Sequence, residues 1–194
     1  SKGAVTTIVL GPGDHVVKRS NDGKNYLNIK CPVNIVGSRD VLDKSKIVVV
    51  GGFEITANGV HVEHLTIRHK SGTGVWWESS CTLTDLMIDQ CGRHGVCAHG
   101  SDAVVNCTNI SISKCQWSGV IARSGGTIIL SGTGTLITDN CLDGYSDTYG
   151  LTVSLSSSSK IQIVKPLTKE AISKGNKGGG DWGAGFGKIE TIEE

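Results

Sequence analysis

Glu78, His99 and Arg123 stand 21 and 24 residues apart in the chain. Brought side by side, this carboxylate, imidazole and guanidinium could supply a base, an acid and a charge stabiliser for polysaccharide chemistry. Asp89 and Asp139 could work as a pair of carboxylates flanking a glycosidic bond. Arg93, His94, Trp117, Tyr145 and Trp76 offer cationic and aromatic groups of the kind that stack on sugar rings and hydrogen-bond to their hydroxyls. Each set has a plainer counterpart. Opposite charges on a solvated sheet face contribute about 0.2–1 kcal/mol per pair with no chemistry attached, and aromatic residues at turns pack against their neighbours. All three sets require that segments distant in sequence be stacked on one another.

The chain repeats in a way that would do so. LTIRHKSGTGV from Leu65, LMIDQCGRHGV from Leu86 and ISISKCQWSGV from Ile110 align without gaps, and LITDNCLDGYSDTYGL from Leu136 follows after five extra residues in its turn. Each begins with residues two apart on one face (Leu65 and Ile67, Leu86 and Ile88, Ile110 and Ile112, Leu136 and Thr138) and ends in glycine plus an apolar residue, from Gly74-Val75 to Gly150-Leu151. Period-two alternation indicates strands, and recurrence every 21–26 residues indicates a solenoid. A further strand fits upstream of each block, at His61–Glu63, Thr82–Thr84, Val104–Cys107 and Ile128–Leu130. Three short strands per coil is a parallel β-helix pattern; a leucine-rich repeat lacks support because no L-x-x-L-x-L series occurs. The glycines, 27 against 3 prolines, are expected at coil turns that need positive φ.

That register predicts which side chains share a face. Arg68, Asp89, Ser113 and Asp139 form one outward row, with Asp89 and Asp139 two rungs or roughly 10 Å apart, near the upper separation for an inverting pair. Trp76, Cys97, Ile121 and Thr152 form another, beside Glu78, His99, Arg123 and Ser154. Arg93, His94, Trp117 and Tyr145 lie along a turn edge. The apolar stripe from Trp76 to Ile121 should be covered by the C-terminal tail, by a partner or by a ligand, the tail being the simplest choice.

The phrases KCPVNIVG and GVHVEHLTI, with the early strand TTIVL, resemble the starts of coils in right-handed parallel β-helix proteins of the pectate-lyase-like superfamily. The resemblance extends over about Val5–Val164 and implies an all-β, right-handed parallel β-helix, a handedness that parallel crossovers favour in general. It concerns the scaffold. Ala98-His99-Gly100 lacks the first glycine of the G-H-G element in polygalacturonase-like members, no adjacent aspartate pair precedes it, and the W-x-D-H segment of pectate lyases is missing. Residues 1–30 are expected to be a strand and loop cap, 31–164 a β-helix of about six coils, and 165–194 a short helix with a glycine-rich cap or tail.

Lys and Arg number 19 against 18 Asp and Glu, so the chain lacks the basic excess that drives nucleic-acid binding. No apolar run approaches the ~20 residues of a membrane span, and no signal-like segment leads the chain; Ser1 in place of Met suggests a trimmed or processed piece. A calcium ion between Asp89 and Asp139 would lack the six or more oxygens it takes, and with no C-x-x-C zinc is not expected. No cofactor is expected. Among seven cysteines, Cys91, Cys115 and Cys141 recur at one repeat position and are close enough for adjacent members to bridge. The odd count and the demand for small core residues favour reduced thiols, whereas the sequons Asn106-Cys107-Thr108 and Asn109-Ile110-Ser111 permit secretion, so the compartment stays open. The resulting expectation is a non-enzymatic or weakly active β-helix module that binds a carbohydrate polymer. A small lyase, hydrolase or epimerase on acidic glycans and a structural or assembly protein of a cell covering or virion are the alternatives.

Overall fold

Alternating apolar residues in short segments leave each strand one face to bury, and stacking is the way such segments close a core. In the computed structural model, which describes residues 5–18, 25–154 and 156–193, they form three parallel sheets. The first holds eight strands among the described residues, from Thr6–Leu10 through Val33–Gly37, Val60–Glu63, Ser80–Thr84, Val104–Thr108, Thr127–Ser131 and Lys160–Val164 to Lys188–Ile192. The second and third hold seven each: Gly13–Val16, Ile47–Val50, Thr66–Arg68, Met87–Asp89, Ser111–Ser113, Leu136–Thr138 and Ser173–Lys174, and then Tyr26–Ile29, Gly52–Ile55, Val75–Trp77, Val96–His99, Val120–Arg123, Tyr149–Ser154 and Gly180–Ala184. One strand of each sheet in turn makes a coil. Seven coils result, numbered 1–7 here, with Lys188–Ile192 starting an eighth.

Both ends add to the stack, which is why the coils exceed the six expected. The strands of residues 6–29 pair in parallel with those of coil 2, so the described part of residues 1–30 is a coil and not a separate cap; residues 1–4 and 19–24 lie outside the described residues. At the other end Thr168 caps α1 (Lys169–Ile172) by accepting from the Ala171 N–H, and the chain then supplies coil 7. The glycine-rich segment is thus a rung of the third sheet, paired with Tyr149–Ser154.

The interior is built of columns in which like residues meet one rung apart. Ile67, Ile88, Ile112 and Ile137 are one column, and Val75, Val96, Val120 and Leu151 another; all are fully buried. Each such side chain contributes about 1.5–3 kcal/mol by leaving water. In a third column the bulk of Trp77 is followed by Ala98 and Ala122.

Two expectations change. The repeated glycines 74, 95, 119 and 150 do not have positive φ. They are demanded by space: a Cβ on Gly95 would sit 2.4 Å from the Ile112 methyl and 2.6 Å from the Gly119 carbonyl, and one on Gly119 2.3 Å from Ile137. Several corners instead hold non-glycine residues at positive φ, among them His64, Asp85, Asn109, Gln90, Lys114 and Asp139. The second change is a one-residue slip in the fourth block. Ile112 pairs with Ile137, and Ser113 with Thr138, so Ile137 points inward and Leu136 is 42% exposed. Asn140 supplies the extra residue, fully buried, with its side chain donating to the Ile112 carbonyl and accepting from Cys115 N–H. Six cysteines are buried and Cys31 is exposed, and none forms a disulfide.

Candidate functional site

The third sheet carries its outward rows in the expected register. Cys97 pairs with Trp76 and Ile121, Ile121 with Thr152, and His99 with Arg123. His99 Nδ1 lies 3.6 Å from Glu78 Oε1, the Trp76 and His99 rings are 5.5 Å apart, and the Arg123 guanidinium is 6.0 Å from the Trp76 ring centre. Trp76 belongs to coil 3 and Arg123 to coil 5, so the arginine reaches back across coil 4. It thereby passes over Cys97, which points outward yet is fully buried and whose thiol burial pushes up to about 12. The tail does not cover this stripe, because its strand extends the sheet edge to edge.

The turns between the second and third sheets raise a wall along this face. His94, Trp117 and Tyr145 come from three successive turns, with ring centres 5.2 and 6.5 Å apart and edge-to-face. Trp117 is held on two sides: its indole N–H donates to Asp143 at 3.1 Å and the Arg93 guanidinium lies 5.2 Å from its ring centre. Between wall and sheet runs a cleft of about 590 Å³ lined by His94, Trp117, Ile121, Tyr145, Tyr149 and Thr152, with Ala184 and Gly185 at its C-terminal end. Four buried side-chain nitrogens lack a hydrogen-bond partner among the described residues. His94 Nδ1 belongs to the wall of this cleft and Arg123 Nε to the side chain beside it; of the others, Arg68 Nε faces Asp89 at 3.4 Å and the Trp77 indole is inside the core. Burial, together with the charges of Arg123 and Arg93, lowers the His94 pKa to about 3, so its imidazole is neutral at physiological pH.

Asp89 and Asp139 are not brought together as a pair. Asp89 is buried on the second sheet beside Arg68 and accepts from Gln90 and Ser113. The Asn140 slip places Asp139 outside that row, exposed at a corner with φ of 56°. Among the described residues no cluster of three or more His, Cys, Asp or Glu side chains could hold a metal ion, and no helix is long and apolar enough to cross a membrane.

Sequence reasoning missed Tyr149 and the role of the tail glycines. A Cβ on Gly179 or Gly183 would lie 2.4 Å from the Tyr149 ring, so the tail packs closely on the tyrosine and presents Ala184 and Gly185 to the cleft. The available signal was the length of the fourth turn, whose extra residues carry Tyr145 out over the face.

A family model described as a right-handed beta helix region matches residues 51–180. No curated protein matches the chain, and no solved structure does.

Proposed function

The chain belongs to the right-handed β-helix family, and from that premise we propose that it is a carbohydrate-binding module whose site is the cleft on its third sheet. One observation carries the reading: the cleft combines an aromatic wall, Trp117 and Tyr145, with a buried His94 nitrogen that has no partner among the described residues, and Arg123, whose buried Nε is in the same state, stands beside the cleft. Buried polar atoms left unpaired cost about 1–3 kcal/mol each, a cost that a ligand's hydroxyl or carboxylate oxygens would relieve after a small rotation of these side chains. Sugars present the matching surface, apolar on a ring face and polar around its rim. Arg93 stacks against Trp117 and Asp143 anchors its N–H, so the indole is held ready to receive a ring.

Binding of the purified chain to a panel of immobilised neutral and acidic polysaccharides tests this. Wild type should bind at least one class, and Trp117→Ala together with Arg123→Ala should weaken that binding by roughly tenfold or more, equivalent to about 1.4 kcal/mol. Equal binding by the variants would place the site elsewhere.

The Glu78, His99 and Arg123 row favours a second reading, a small lyase, hydrolase or epimerase on acidic glycans. The ion-pair distance between His99 and Glu78 supports it. Unsaturated uronate product, followed by ultraviolet absorbance, would mark a lyase and new reducing ends a hydrolase, either one abolished in His99→Ala; silence in both assays counts against this reading.

A further inference from the structure

Among the described residues the cleft is short, and it is closed at the end nearer coil 3. Its lining comes from coils 4 to 7, with His94, Trp117, Tyr145 and Ala184 marking successive rungs; three steps of about 4.8 Å give a length of roughly 14 Å. A groove for a long polymer would continue along the sheet toward coils 3 and 2. Instead Arg123 crosses the row to Trp76, which leans on His99, and Cys97 beneath them is sealed off. The opposite end meets Ala184 and Gly185 on the last described rung of the third sheet. The partnerless nitrogens of His94 and Arg123 belong to the coil 4–5 side, next to the crossing.

Resting on the reading of this cleft as a glycan site, we infer that it receives the end of a chain, two or three sugar units along the described rungs, with the terminal unit against His94 and Ile121 and stopped by the Trp76–Arg123 crossing beside them. The next units lie along Trp117 and Tyr145, whose rings are one rung apart and 6.5 Å between centres. A volume of about 590 Å³ suits such a segment, within the roughly 300–1,000 Å³ of sites that enclose a small ligand. The Trp76–Arg123 crossing is then the specificity element: it admits a terminus and refuses an internal stretch. Trp76, Arg123 and His99 position the end wall and need take no part in chemistry.

Calorimetric titration with cello-, xylo-, chito- and galacturono-oligosaccharides of one to six units decides the matter. In whichever series binds, affinity should rise about tenfold or more from one unit to three and by less than about twofold from three to six. Trp76→Ala, which removes the group Arg123 leans on, should move that plateau to longer chains; Arg123→Ser, matching Ser154 on the next rung, serves the same purpose if the first variant melts early. Affinity in wild type that keeps climbing tenfold between three and six units overturns the chain-end inference while leaving the glycan site intact. Failure of every series to bind removes the glycan reading and this inference with it.

Discussion

The cleft on the third sheet and the corner between the first and second sheets use similar residues to opposite ends. At the corner, a loop of residues 38–46 is tied down by two chains of charge. Arg39 donates to Glu63, which also meets His61, and Lys44 donates to Asp85, which also meets His64. His64 faces an acceptor on each ring nitrogen, Asp85 at 2.6 Å and the Val41 carbonyl at 2.7 Å, so it serves both only as imidazolium. The cleft has histidine and carboxylate in its lining and arginine beside it, yet there the histidine is neutral, and His94 Nδ1 and Arg123 Nε lack partners among the described residues. Paired charge around a loop is structural fastening, whereas unpaired polar atoms beside an aromatic wall leave interactions for a ligand to complete.

The two regions share a frame, and breaking the frame should have the largest effect on both. A Cβ on Gly37 would lie 1.8 Å from the His64 carbonyl oxygen, and one on Gly119 2.3 Å from Ile137. Gly37→Ala and Gly119→Ala should each lose about 3 kcal/mol or more by overpacking, read as the fall in urea midpoint.

The next largest effects separate the regions. Trp117→Ala should cost tenfold or more in glycan affinity with stability changed by less than about 1 kcal/mol. Asp85→Ala should leave affinity unchanged, and should lower stability by about 1–2 kcal/mol because His64 and Lys44 lose their shared acceptor. A loss of binding in Asp85→Ala would abolish the distinction.

Lowering the pH should drive the regions apart. The Val41 carbonyl and then Asp85 raise His64 above its usual 6.5, so its contribution is full below pH 6.5 and fades as pH rises through its folded value. Burial alone would raise Asp85, but the hydrogen bonds from Lys44 and His64 outweigh it and hold its pKa below 3.8; its contribution is lost only as pH falls through that lower value. His94 has the reverse sign. Its neutral form is favoured down to about pH 3, so the cleft loses stability as pH drops below 6.5. Between pH 7.5 and 5, amide exchange corrected for intrinsic rate should slow in residues 38–46 and quicken around His94, and His94→Gln should cancel the second change. The smallest effect belongs to Arg39→Ala: its side chain is 80% exposed, and removing such a pair should shift stability by no more than about 0.5 kcal/mol.

The sequence carried the solenoid because strand alternation and rung spacing repeat, and the row of Glu78, His99 and Arg123 follows directly from that register. It did not carry the fourth-block slip, since Asn140 enters the interior as an extra residue and the apolar pattern at Leu136-Ile137 fits either alignment. The corner was overlooked although His64, Asp85 and Asn109 each immediately precede the first apolar residue of a repeat. Corner residues at positive φ belong to neither face of a strand, so alternation says nothing about them. The cleft was legible in its residues and hidden in its shape, because the reach of Arg123 across two rungs depends on side-chain direction.

Nuclear magnetic resonance of the ¹⁵N-labelled chain during titration with the binding trisaccharide tests the central claim most directly. The Trp117 indole N–H should shift and saturate with ligand while the His64 ring signals stay in place. Saturable binding that leaves Trp117 unmoved would contradict the assignment of the site to the cleft.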